Sequence, residues 1–241
     1  MRNNNQEIAA LLARESYNSN KSRNRILTAA VALTVMMLFG VFSLAVGKLE
    51  TDILLYMRNS GTAASTTLER GSQEQQETIE ALPYIKAVGS SVYIGNTEEY
   101  SCEVLDETGW EQMTAPAYSD IHGEYPQKTE EIMLPVRAME AIGIHEPTLG
   151  MEIPAGITLP EGEKLEKTFI LSGYYTDYRD PAIYRPSGYF SQEFLQGLTM
   201  EKEENTTLLI QQKDNIDDEA IEDMLYRDVE MRDDSQQFFG G

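Results

Sequence analysis

The sequence is poor in the residues that usually carry chemistry. Its 241 residues include one cysteine, two histidines and one tryptophan. A single cysteine, Cys102, excludes a disulfide within the chain and reads as a small apolar core side chain, with an intermolecular disulfide or reactive thiol as the other reading. The two histidines, His122 and His145, lie in turn-like contexts that suit neither a Ser/His/Asp triad nor a zinc helix, which Pro147 would break after His145. No GxxxxGKS or GxxxxGKT loop, GxSxG elbow or HExxH pair is present, so no nucleotide, acyl-transfer or metalloprotease chemistry is expected of this chain. No catalytic, cofactor-binding or metal-ligating residue is assigned.

Basic charge is also scarce beyond the N-terminus. Residues 1–25 hold five Lys/Arg against two Asp/Glu, a balance of +3; the rest holds 14 against 38, a balance of −24; together these make the net −21. A body this acidic repels a phosphate backbone, so nucleic acid is excluded as a partner, while cationic partners are favoured. The acidic clusters at Glu201–Glu204 and Asp214–Asp223 lack the ligand spacing and glycine of a calcium loop and read as solvated faces. Asn205-Thr206-Thr207 is a glycosylation acceptor only in a eukaryotic secretory pathway and decides nothing alone.

One long uncharged run is present, Ile26 to Val46, with 21 residues. As a helix it measures about 31 Å, the thickness of a bilayer's hydrocarbon core. Ile26, Leu33, Phe39 and Val46 are its expected anchor residues. Thr28, Thr34 and Ser43 are tolerable if their hydroxyls bond back to helix carbonyls. Ser43 and Ala45 also suit a signal-peptide cut before Val46, but such peptides have apolar cores of about 7–15 residues, so an uncleaved anchor is the better reading. Lys21, Arg23 and Arg25 precede the run and only Lys48 closely follows it. The positive-inside rule therefore puts residues 1–25 in the cytoplasm and residues 48–241 outside. Within the N-terminal segment, Ile8, Leu11 and Leu12 share one face of a helix over Gln6–Tyr17, suited to the inner membrane surface.

Beyond the run, Leu49, Ile53, Leu54 and Met57 continue helical spacing, interrupted at Gly61 and Gly71. Ser72 with Gln75 forms a capping box for a helix ending at Pro83. Residues 47–82 are therefore expected to be a helical stalk, and 83–241 a mixed domain with two subdomains. Strands are expected over Tyr84–Gly95, Tyr100–Trp110, Leu165–Tyr178 and Thr206–Gln212, and helices over Ser191–Leu198 and Ile216–Val229. Strands and helices mix without a regular βαβ repeat, which predicts the α+β class.

Two stretches pose functional questions. Gly123–Ile144 places Glu130 and Glu131 together, as if for acid/base work. Neighbouring strand residues point to opposite faces, however, so the pair suits a structural brace better. In that reading Gly123 and Pro126 set a turn, Glu131 precedes a strand, and Met139 and Ile142 face the core. The second stretch, Ser172 to Phe190, is rich in tyrosine. Tyr174, Tyr175, Tyr178 and Tyr184 fit a contact surface and core packing equally well.

The order of these features resembles the N-terminal part of an FtsX-like ABC transporter permease with a MacB-like periplasmic core domain. The resemblance rests on NKSRNRILTAAVALTVMMLF, EALPYIKAVGSSVYIG, GEYPQKTEEIMLPVRAMEAIGI with TLGMEI, FILSGYYTDY and LLIQQKDNIDDEAIEDML, which together cover nearly the whole chain. It implies a dimeric permease component, driven by a separate cytoplasmic ATPase subunit, for export or mechanotransmission of peptides, lipids or toxic compounds. Such permeases carry at least three further spans after the outer domain. None appears before Gly241, so the chain is expected to be a fragment or to work with spans on another chain. The alternatives are a stand-alone anchored sensor or binding module without an ATPase, and an anchored hydrolase, which the missing motifs disfavour.

Overall fold

The computed structural model describes residues 5–214 and 218–240. It divides into two compact units, Met1–Ile53 and Leu54–Gly241.

The first unit holds helix α1 (Asn5–Ser19) and most of helix α2 (Lys21–Ser60). α2 is a continuous 40-residue helix that buries no residue among those described. The four anchor positions are open, Ile26 at 68%, Leu33 at 62%, Phe39 at 74% and Val46 at 56% exposure. In water, each such side chain forgoes about 1.5–3 kcal/mol of burial, so this surface needs an apolar surrounding. Thr28 and Thr34 donate back to the carbonyls of Asn24 and Ala30, both at 2.9 Å, as the sequence reading required. α2 is the one described helix long and apolar enough to cross a membrane. On α1, Ile8, Leu11 and Leu12 are exposed.

The second unit is a mixed sheet with helices, confirming the α+β class. Its strands are β1 (Thr66–Glu69), β2 (Ile85–Asn96), β3 (Ser101–Leu105), β4 (Ser119–Gly123), β5 (Glu131–Pro135), β6 (Glu152–Thr158), β7 (Lys164–Thr176), β8 (Ser187–Phe190), β9 (Thr206–Gln212) and β10 (Phe238–Gly240). The order across the sheet is β10-β1-β9-β2-β3-β8-β5-β7-β4, with β6 against β7 and touching the end of β2. β3–β8 and β5–β7 are parallel; the other pairs are antiparallel. Helices α3 (Gln73–Glu80), α4 (Val136–Ala141), α5 (Gln192–Gln196) and α6 (Asp218–Asp228) complete the unit, and a π-helical turn covers Gly109–Thr114.

The expected stalk is shorter than the sequence suggested. α2 stops at Ser60, where Gly61 takes φ +74 and its N–H still reaches the Met57 carbonyl. β1 then joins the sheet between β9 and β10, within a region that the sequence reading left without a strand. The Ser72 capping box on α3 is present in full. Ile216, where the last helix was expected to start, lies outside the described residues.

Alternation along the strands separates the two faces of the sheet. On one face, Ile132, Leu134, Phe169, Leu171 and Phe190 pack with Met139 of α4, and beside them Leu68, Ile79, Leu208, Ile210 and Leu225 pack under α3 and α6. One sheet runs through both clusters. On the other face, Met133, Tyr189 and Leu209 join Tyr118 and Tyr175 in a third cluster, against which Met57 of α2 packs. Cys102 is a buried member of the first cluster, and burial pushes its thiol well above the usual range.

Candidate functional site at the end of helix α2

The place where the last turn of α2 meets the sheet joins charged and aromatic contacts. The Arg58 guanidinium, on the last turn of α2, lies 4.5 Å from the centre of the Tyr178 ring. Tyr178 hydroxyl bonds Ser119 of β4 at 2.6 Å. The Ala63 N–H donates to the Met113 carbonyl at 2.6 Å, tying the segment after α2 to the π-helical turn. Gly61 sits directly under Arg179, where a Cβ would come within 2.6 Å of that side chain.

Beneath these contacts lies Asp177, just past β7, with a carboxylate that is fully buried. Arg137 of α4 donates to it at 2.7 Å and Arg179 at 2.9 Å. Arg137 also donates to the Arg179 carbonyl at 2.8 Å, so one carboxylate holds α4, the end of β7 and the Gly61 contact together. The network extends from Arg179 to Ser187 of β8 and from Ser187 to Glu103 of β3. Nε of Arg58 and Nε of Arg137 are buried without a hydrogen-bond acceptor among the described residues.

Next to the ion network stands the aromatic group of Tyr118, Tyr175 and Tyr189. Tyr118 stacks on Tyr175 at 4.2 Å, and its hydroxyl bonds that of Tyr189 at 2.8 Å. Tyr175 hydroxyl donates to the Ser187 carbonyl at 2.6 Å. Burial raises all three phenols, Tyr118 to about 12 and the others well above their usual value, so they are neutral hydrogen-bonding groups near pH 7.

The four tyrosines singled out in the sequence divide here. Tyr178 and Tyr184 are exposed and Tyr174 is half-buried, with its ring 4.8 Å from that of His122. Tyr175 is completely buried, which removes it from any contact surface and makes it core. β7 carries it into the third cluster, below the turn that presents Tyr178 and Tyr184. The sequence reading missed Arg58, Arg137, Asp177 and Arg179. They come from three places in the chain, Arg58, Arg137 and the Asp177–Arg179 turn, and no local pattern marks their convergence.

Glu131 is the brace that the sequence suggested. One carboxylate oxygen accepts the N–H groups of Gln127 and Lys128 at 2.8 and 3.1 Å, and the other lies 3.3 Å from the Lys128 ammonium. Partial burial works against its charge, but these donors together hold the carboxyl below the usual range. Glu130 is exposed, and Met139 and Ile142 face the first cluster as expected. Gly123 takes φ +81, and a Cβ there would come 2.1 Å from the Ser172 carbonyl oxygen. His122 lies on β4 and His145 in the exposed loop after α4.

No family model and no curated protein matches the chain. Among solved structures, it is similar to the periplasmic region of MacB from Actinobacillus actinomycetemcomitans, at 15% identity over 73% of this chain and 86% of that one, with a TM-score of 0.43. It is also similar to the extracellular domain of the ABC-type transporter YknZ from Gram-positive bacteria, at 11% identity over 76% of this chain and 91% of that one (TM-score 0.42). A domain assigned to a permease protein from Porphyromonas gingivalis aligns at 9% identity over 73% of this chain and 88% of that one (TM-score 0.41).

Proposed function

We propose that the chain is a membrane-embedded permease component of an ABC transporter, in which α2 links the membrane to an extracytoplasmic sheet domain and relays motion to it. The observation that carries this reading is the continuity of α2. The helix that contains the uncharged run Ile26–Val46 extends to Ser60, and its last turn is held by Arg58, Met57 and the Gly61–Arg179 contact. A helix clamped by packing and charge transmits a push, where a flexible linker absorbs it.

The charge pattern around the run supports a cytoplasmic N-terminus and an outer location for residues 48–241. The order of sequence motifs supports a separate ATPase subunit as the source of motion and a dimeric assembly. The clients of this reading are peptides, lipids or toxic compounds.

The test is affinity purification from native membranes. An ATPase subunit that co-elutes, with nucleotide-dependent protection of Gly61 and Ala63 in hydrogen exchange, is the expected result. Without such a subunit, the protein is a stand-alone anchored module and the transporter reading falls.

A further inference from the structure

Away from the α2 contact, a hollow of about 550 Å3 lies between the end of β3, the π-helical turn and β4. Its wall is aromatic and apolar, formed by Leu105, Trp110, Ile121 and Tyr125. This wall is built rigidly. The Tyr125 hydroxyl takes the Leu105 N–H at 2.7 Å and donates toward the carbonyls of Leu105 and Phe190. The Trp110 ring lies 5.0 Å from that of Tyr125 and 5.4 Å from that of Tyr189. The wide turn that presents Trp110 is pinned at its start, where the Gly109 N–H reaches Asp106 at 2.6 Å and Gly109 backs onto Gly89. π-helical turns recur at functional sites, because the extra residue re-aims a side chain.

The rim decides what fits. Glu107, Glu111 and Glu124 are exposed around the opening, and none of them takes part in an ion pair among the described residues. No lysine or arginine lines the hollow. At Asp106, Glu107 and Gln192 it continues into a second depression along α3, bordered by Glu77 and Glu80. The two depressions join into one trough with an aromatic end, bordered by Glu77, Glu80, Glu107, Glu111, Glu124 and Glu203, with Lys202 as the one base on the border of the second depression.

We infer that this trough binds an extended basic peptide segment, with an apolar side chain against Trp110 and Tyr125 and lysine or arginine side chains at the glutamates. A flat acidic surface would attract any cation. The preformed aromatic wall selects a chain that alternates charge with apolar groups, and the second depression gives room for more than one residue. That such a segment is a transported client rests on the reading above; the binding itself does not.

Trp110 is the only tryptophan in the chain, so its emission reports on this site alone. The experiment titrates the full chain in detergent with a short peptide of alternating lysine and leucine, and with its glutamate–leucine counterpart. The expected result is a saturable change in Trp110 emission with the basic peptide only, weakening as salt rises from about 50 to about 300 mM. The variant Glu107→Gln/Glu111→Gln/Glu124→Gln, all at exposed positions, is expected to bind at least about tenfold more weakly. The charge-matched variant Glu74→Gln/Glu140→Gln/Glu163→Gln, outside the trough, is expected to bind as the parent does. A flat titration, or equal losses in both variants, overturns the inference by assigning the attraction to net charge. Either outcome leaves the ATPase question to its own test.

Discussion

Asp177 is the described ion-paired carboxylate with no exposure at all, and it faces two largely buried guanidiniums. Asp177→Ala leaves both without a counter-charge. Removing one partner from a buried pair costs roughly 3–5 kcal/mol, more than most single changes. Urea unfolding followed through Trp110 emission is expected to show that loss; a change under about 1 kcal/mol would mean that the network contributes little. Glu131 sets a pH dependence. Its folded pKa lies below the unfolded value, so its stabilisation is fully present above about 4.3 and is lost as pH falls through the folded value. Asp228 behaves in the same direction, with a folded pKa near 2, because the Arg227 side chain and then the Tyr84 hydroxyl donate to it. Glu131→Gln is expected to flatten the acid limb of the stability curve below about pH 4.3, measured by thermal melts across pH. An unchanged limb would exclude the brace. The turn before Glu131 was legible beforehand from Gly123 and Pro126, although the partners Gln127 and Lys128 were not. Asp177 was not, because one of its partners lies 40 residues earlier, in α4.

At the scale of elements, local chemistry marked α3, β7 and β9 clearly. Each has a cap, a breaker or a run of apolar residues in the right period. Short strands escaped notice, among them β1 and β8 with four residues each, β4 with five and β10 with three. They have little alternation of their own and exist because neighbours offer them edges, β9 and β10 for β1, and β7 for β4. The π-helical turn was read as the end of a strand, since Trp110 and its neighbours suit a strand by composition. Its conformation depends on the Asp106 bond and the close approach of Gly89. The end of α2 gives a test of element coupling. Arg58→Ala removes a cation–π contact that contributes about 0.5–2 kcal/mol. Amide exchange at Gly61 and Ala63 is expected to speed up, while β9 keeps its protection. Equal exchange at Gly61 and Ala63 in both proteins would show that Arg58 does not hold the helix end.

At the scale of the whole molecule, the question is whether α2 lies in lipid. A charged residue at the centre of a spanning helix raises the insertion free energy by about 2.5–3.5 kcal/mol. Leu33→Arg with Phe39→Arg is therefore expected to move the chain from the carbonate-resistant membrane fraction into the soluble fraction. If the doubly substituted chain stays in the membrane, another part of the molecule anchors it. The folded body is expected to be unaffected, because Leu33 and Phe39 belong to the other unit and are exposed. The fold class was legible at this scale because the mixed order of strand and helix signals follows from composition along the chain. The strand order was not, because it joins segments as distant as β1 and β10.

The sequence by itself determined what depends on near neighbours. An uncharged run of 21 residues commits α2 to an apolar surrounding, and capping and turn residues place α3 and the Gly123–Glu131 turn. Tertiary structure alone decided which tyrosine is core and which is surface, which carboxylate is buried with two arginines, and which acids border an aromatic hollow. The reason is physical. Helix propensity, hydropathy and capping act over a few residues, whereas burial and ion pairing depend on which distant strands meet, and that is settled only when the sheet closes.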